Sequence, residues 1–464
     1  MKKPAIAFFF RLAAILAFFF LFSKTSSSQV LPGWRHTVKN SLNSINKAKC
    51  IETDNLRNCF VLGTTSIPDS AKDIFLIKYN MLGEEVWRRL YDNPDHGDDL
   101  PIAMSMDSEG NILIAGISKD KTGNTDILVV KFSTEGVPVM DLRFDGSAHA
   151  FDTPVDIACD RLDNILVTGA ETSLDSGMNM VIYRIRPDGA LSWKRSYSTR
   201  MMDIGNAIQT DDSCNIYIAG NCNSAPHSSD ILVQKYDSSG KEKWTVVYNG
   251  VFAENDAAAC MAMDDSSQFY ISGFVNHTSD RSDVPLLKIN RNGEILQEKF
   301  YNGGVSDCYA TGLWINKSGA FLTVNRTDYG TGTSGSLVLH YDKAGKEVQK
   351  ILAPVDVVFQ KFLESSGKPL ILGSKLSHPE STLMPYIASP DTGSKLLWEF
   401  ADSTVYGMAH MVHMKVVGDT IYFLGDDAGD ATGSIEILTY AIIRENGKPK
   451  KSPANKIKSG VQKN

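Results

Sequence analysis

Beyond residue 28, the 464-residue chain has no run of about 20 apolar residues, the length that a bilayer span needs. A polytopic membrane protein is therefore excluded. No stretch there holds an apolar period of 3.6 residues, so amphipathic helices are not expected. Cysteine is sparse, at seven scattered residues, which is not a disulfide framework. Enzyme signatures are also missing. There is no Gly-x-Ser-x-Gly elbow, no His-Glu-x-x-His, no P-loop and no repeated sialidase-type Ser-x-Asp-x-Gly box. What is present is globular: 42% hydrophobic and 22% charged residues exclude disorder and collagen. Length alone suggests about three domains of roughly 150 residues.

The ends differ from the body. Lys2, Lys3 and Arg11 precede an apolar run from Leu12 to Phe22, and small residues stand at Ser26 and Ser28. Residues 1–28 read as an export signal. Residues 447–464 carry six lysines and no acid, and are expected to be a disordered basic tail. Formal net charge is −7; the four positive charges before residue 29 and the six after 446 leave the body at −17. An acidic body argues against a nucleic-acid partner. An odd number of cysteines leaves at least one unpaired in a monomer. Cys50 and Cys59 flank a tight turn and could face each other across a hairpin.

Self-comparison replaces the three-domain expectation. A short apolar segment closes on Gly63, Gly116, Gly169, Gly220 and Gly273, with weaker copies at Asn325, Gly373 and Gly425. The mean interval is about 52 residues. Asp54, Asp107, Asp160, Asp211 and Asp264 stand nine residues before the glycine. Asp99, Asp152, Asp203 and Asp256 stand seventeen before it. Lys78, Lys131, Arg184, Lys235 and Lys288 stand fifteen after it, and Trp34, Trp87, Trp193, Trp244 and Trp398 keep near the same period. Each unit reads as four short strands, β-branched and aromatic, bounded by Gly, Asn and Asp. Eight such units need 416 residues, and residues 29–446 supply 418. The fold class is all-β, a single eight-bladed β-propeller. The strand at Trp34 is expected to complete the last blade as its outer edge and close the ring.

The stretch Asp203-Ile-Gly-Asn-Ala-Ile-Gln-Thr-Asp211, then Asn215-Ile-Tyr-Ile-Ala-Gly220 and Asp230-Ile-Leu-Val-Gln-Lys-Tyr236, resembles the bacterial SBBP β-propeller repeat family. The resemblance covers residues 34–300 well and 301–446 loosely. It implies a propeller that is secreted or envelope-associated. The family name implies seven blades, so seven stands as the alternative to eight. Residues 388–398 separately resemble the repeat of quinoprotein propellers, through a turn that leads into a Trp strand.

Candidate site residues lie in the loops. Asp99, Asp152, Asp203 and Asp256 precede the innermost strand and would circle one mouth of the channel. They admit a cation or polar-ligand site, or a structural role bonding the backbone of their own loops; repetition of one residue over several units favours the second. The basic set is expected to lie over aromatics or pair with acids, and the tryptophans to pack between blades. Long connections, between the second and third strands and between blades, share one face. They hold His96, His149, His227, His277, His378 and His410. His96 among Asp95, Asp98 and Asp99 is the densest metal-capable group. These features suggest an exported, monomeric, non-enzymatic scaffold that binds a protein or glycan through the long-loop face. The alternative is a propeller hydrolase or lyase with a metal or acid–base site at the channel mouth. No cofactor is implied.

Overall fold

The computed structural model describes residues 34–38, 44–67, 70–225, 228–250, 252, 254–278, 281–328, 330–354, 356–365, 368–377, 382–390, 396–401, 409–417, 420–427, 435–441, 444–445 and 448–449. The export signal, residues 450–464 of the basic tail, His227 and His378 lie outside them.

The described strands form eight four-stranded antiparallel sheets arranged as blades, plus one short hairpin pairing Arg444–Glu445 with Lys448–Pro449. Blade 1 runs outward from the channel as Ile45–Thr53, Cys59–Ser66, Asp73–Tyr79 and Glu85–Tyr91. Blades 2 to 7 repeat this order. In blade 8 the outer strand is the N-terminal Arg35–Val38, paired antiparallel with Ile435–Ala441. Each innermost strand packs against the next, and Ala409–Val417 of blade 8 packs against Ile45–Thr53 of blade 1, so the ring is closed.

Burial follows position in the blade. The second strand of blade 2, Ile112–Lys119, is covered on both faces for most of its length, whereas the outer Pro138–Phe144 is largely exposed. The core is correspondingly divided into clusters that lie between neighbouring blades. One joins Leu62 and Ile74 of blade 1 to Ile114 and Leu128 of blade 2; another joins Leu424 of blade 8 to Val61 of blade 1. Every innermost strand carries one β-bulge at the same register, at Lys49, Ile102, Val155, Asn206, Ala259, Thr311, Gln360 and Val412. A bulge leaves backbone groups outside the ladder. Side chains of adjacent blades reach channel-side backbone groups within two residues of the bulges. Asp156 accepts from Ile208 N at 3.0 Å, Asn206 donates to Ala258 O at 2.9 Å, and Gln209 to Met261 O at 3.0 Å.

The opposite rim is held by tryptophan. Trp87, Trp193 and Trp244 donate their indole N–H to Thr134 O (3.1 Å), Ser238 O (3.2 Å) and Arg291 O (3.0 Å) in the outer turn of the next blade. The glycine of each turn lies flat on that indole. At Gly136, φ is +73° and a Cβ would sit 2.8 Å from the Trp87 ring, so only glycine fits. The basic set takes the two forms expected. Lys78, Lys235 and Lys288 lie over Phe60, Tyr217 and Tyr270. Lys131 and Arg184 pair with the turn acids Asp107 (2.7 Å) and Asp160 (2.9 Å). Cys50 and Cys59 do not face each other. Cys50 stands opposite Leu62 and Cys59 opposite Thr53, because the hairpin turns about residue 56, and both thiols are free.

A chain beginning at Trp34 is expected to melt higher than one beginning at Lys39. The shorter chain bares the edge of Ile435–Ala441 and is expected to self-associate. Thermal melts and size-exclusion chromatography compare the two; equal melting and equal elution would contradict ring closure by this strand.

Candidate functional site

The long connections emerge where first and third strands begin, and buried aspartates organise them. Asp99, Asp152, Asp203 and Asp256 are fully buried. Each accepts from the loop that enters its blade: Asn93 N to Asp99 (2.8 Å), Gly146 N to Asp152, Thr199 N to Asp203 (2.6 Å) and Gly250 N to Asp256 (2.5 Å). Three also hold the loop between the second and third strands of their own blade, through Thr172 N (2.7 Å), Asn223 N (3.2 Å) and Asn276 N (3.1 Å). Asn93 does this for Asp99, its amide reaching both Asp99 Oδ1 (3.0 Å) and Lys119 O (3.1 Å). The aspartate N–H groups bond backward to the preceding blade, Asp99 to Lys72 O and Asp152 to Thr125 O. These four carboxylates are clamps on their own loops.

The other sequence candidates disperse. Asp95 is exposed and donates its backbone N–H to Asn93 Oδ1 (2.8 Å), closing an Asx turn that Asn93 opens. Asp98 accepts from Lys72 N at 2.9 Å. His96 sits exposed at φ +53°, with Nδ1 2.7 Å from Asp92 Oδ2. What the structure gathers instead is Asp73, Asp92 and Asp99, each offering a carboxylate oxygen within 4.8 Å of the others. Asp126, Asp145 and Asp152 repeat this group one blade on, with His149 on Asp145 as His96 is on Asp92. Sequence reasoning missed Asp73 and Asp126 because they start the third strand of the preceding blade. The signal was present: all three positions recur at an interval of 53 residues.

Electrostatics follow from crowding. Asp73 is pushed up to about 6 by burial and by Asp92 and Asp99; Asp126 reaches about 6 by burial and by Asp145 and Asp120. Burial also lifts Asp152 to about 6 against the pull of Thr172 and Gly146. His96 and His149 are raised by their hydrogen bonds to Asp92 and Asp145. Three oxygens of this kind suit a hard cation or shared protons. In the second group the Asn124 amide already bridges Asp126 (2.8 Å) and Asp145 (3.1 Å).

Beside the second trio the face turns apolar. Phe151, Leu174, Met201 and Met202 are exposed. Their loops touch: Leu174 N meets Ser147 Oγ at 3.4 Å, and Met178 pairs with Met202. Asp152, at the start of blade 3, and Asp203, at the start of blade 4, brace these loops.

No family model matches the chain. No curated protein matches it either. Among solved structures it is similar to the polysaccharide lyase Uly1, at 9% identity and a TM-score of 0.50, over 85% of this chain and 90% of that one. It is also similar to the β-propeller domain of the Trilobed protease from Pyrococcus furiosus, at 9% identity and a TM-score of 0.43, over 85% and 93%. A third is Drosophila Plexin A in complex with Semaphorin 1b, at 10% identity and a TM-score of 0.41, over 89% and 87%. At such identity the likeness shows the propeller fold alone.

A carboxyl whose folded pKa exceeds its unfolded value favours the fold when protonated. For Asp73, Asp126 and Asp152 that contribution is complete below about pH 4 and is lost as pH rises through about 6. The Tm is expected to rise as pH falls from 7.5 to 5.5. Asp92→Asn combined with Asp145→Asn is expected to flatten that rise, since both trios lose a repelling charge. Calorimetric melts across the range check it; a slope that the double variant leaves intact would rule out the trios as its source.

Proposed function

We propose that this is an exported propeller that binds a protein partner through its long-loop face at blade 3. One observation carries the reading: four exposed apolar side chains, Phe151, Leu174, Met201 and Met202, on adjoining loops. Aromatic and methionine side chains are enriched at protein interfaces. Their loops are fixed by Asp152 and Asp203, so little ordering is lost on binding. The acidic trio of Asp126, Asp145 and Asp152 adjoins the patch, which fits a partner with basic residues around an apolar centre. The basic, apolar N-terminus and the SBBP-type repeats support export to the periplasm or cell surface as the setting. The hydrolase or lyase reading draws only on the acidic trios, three carboxylates apiece.

Photo-crosslinking in the native envelope tests the site. A photoreactive residue at position 174 is expected to capture one protein, and the same residue at 137, on the opposite face, is expected not to. Leu174→Glu with Met202→Glu is expected to abolish capture while leaving the Tm within about 2 °C, as exposed substitutions do. Equal capture from both positions, or none from 174, would refute this assignment.

A further inference from the structure

The channel wall is chemically divided. On blades 3 to 6, towards the end of the innermost strands, a cavity of about 510 Å³ is lined by Ile208, Met263, Leu313, Trp314 and Ile315, with Gln209 and Thr210. That volume is within the range of about 300–1,000 Å³ usual for small-molecule pockets. Blades 7, 8 and 1 close the other side of the ring, and their innermost strands carry Lys361, His413, Lys415, Lys49, Cys50 and Glu52. The shared bulge gives a common height scale. Trp314, Lys415 and Glu52 are each the third residue after their bulge, and Lys361 is the first after its own. Lys361 is thus about 7 Å nearer the loop face than Trp314, at roughly 3.3 Å per residue.

The charges on that side do not cancel. Lys415 pairs with Glu52 at 2.6 Å. His413 lies 3.1 Å from the Ile51 backbone, and burial together with Lys361 pushes it down to about 3, so it is neutral. Lys361 makes no hydrogen bond or ion pair with any described residue. Burial brings it down to about 8, against the opposing pull of Cys50 and Glu52. Among the described side chains, the ammonium groups of Lys49, Lys361 and Lys415 thus outnumber the single carboxylate of Glu52, inside a body whose net charge is −17.

We propose that the channel binds an organic anion with an apolar body, its acid group held by Lys361 with Lys49 and Lys415 nearby, its body against Trp314, Leu313 and Met263. A bare inorganic anion leaves the apolar half of the site unused. A neutral apolar molecule leaves Lys361 without a counter-charge. The site is separate from the blade 3 loop face, so it stands or falls independently of that reading.

Decanoate is the probe, titrated into the full-length protein by calorimetry and by tryptophan fluorescence. Saturable 1:1 binding with a change in emission is expected, and Trp314→Phe should remove most of that change while heat is still released. Lys361→Met should weaken binding at least about tenfold, the scale of a lost hydrogen bond to a charged group. Lys361→Arg, which keeps the charge, should stay within about threefold. Melting curves confirm folding; if Lys361→Met does not fold, decanol and inorganic phosphate, each expected to bind at least tenfold more weakly than decanoate to the unaltered protein, decide in its place. Absence of saturable binding, equal binding of decanol or phosphate, or an unchanged affinity in a folded Lys361→Met protein would each overturn the proposal.

Discussion

The carboxylate of Asp152 accepts from Gly146 N and Thr172 N, while its own N–H bonds to Thr125 O. One residue thereby ties the loop entering blade 3, the loop within blade 3 and the edge of blade 2. The eight blades share no strand, so whatever makes them one body must lie between sheets. A buried carboxylate is costly unless its oxygens are met, and here two backbone donors meet them. Burial outweighs those donors and lifts the carboxyl to about 6. The same residue type at the same register does similar work at Asp99, Asp203 and Asp256.

The bulges and the tryptophans extend this logic to the channel and the far rim. A closed ring has to satisfy inner-strand backbone that no fifth strand covers. Asp156, Asn206 and Gln209 do so across blade boundaries. At the outside, the indole of Trp87 and the bare backbone of Gly136 interlock because neither leaves room for a side chain between them. Stability is therefore spread over repeated junctions, as in other stacked repeats. The long loops inherit rigid ends, which is what a binding face needs.

Much of this was legible in the sequence because the repeat writes each junction several times. The period gave eight blades, and the chain's opening and closing strands gave the closure that Arg35–Val38 makes with Ile435–Ala441. That the basic set would lie over aromatics or pair with acids was readable as well, and Lys78 over Phe60 and Lys131 on Asp107 are instances of each. The bulges were not, because an extra residue in a strand leaves no mark in composition. The acidic trios were hidden for a related reason. Neighbours in a loop point apart, whereas Asp73, Asp92 and Asp99 meet from different strands and loops. The cationic channel wall was equally hidden, since Lys49, Lys361 and Lys415 are far apart in the chain and break the repeat rather than follow it.

Hydrogen exchange on Asp152→Ala tests the clamp most directly. Loss of the carboxylate frees two backbone donors, of which the buried Gly146 N–H alone costs about 1–3 kcal/mol. The amides of Gly146 and Thr172 and the loop residues between Ser147 and Phe151 should then exchange markedly faster, while Ile165 to Val167 in the blade core keep their protection. Unchanged exchange at Gly146 and Thr172 would contradict the account, and so would a uniform loss of protection across blade 3.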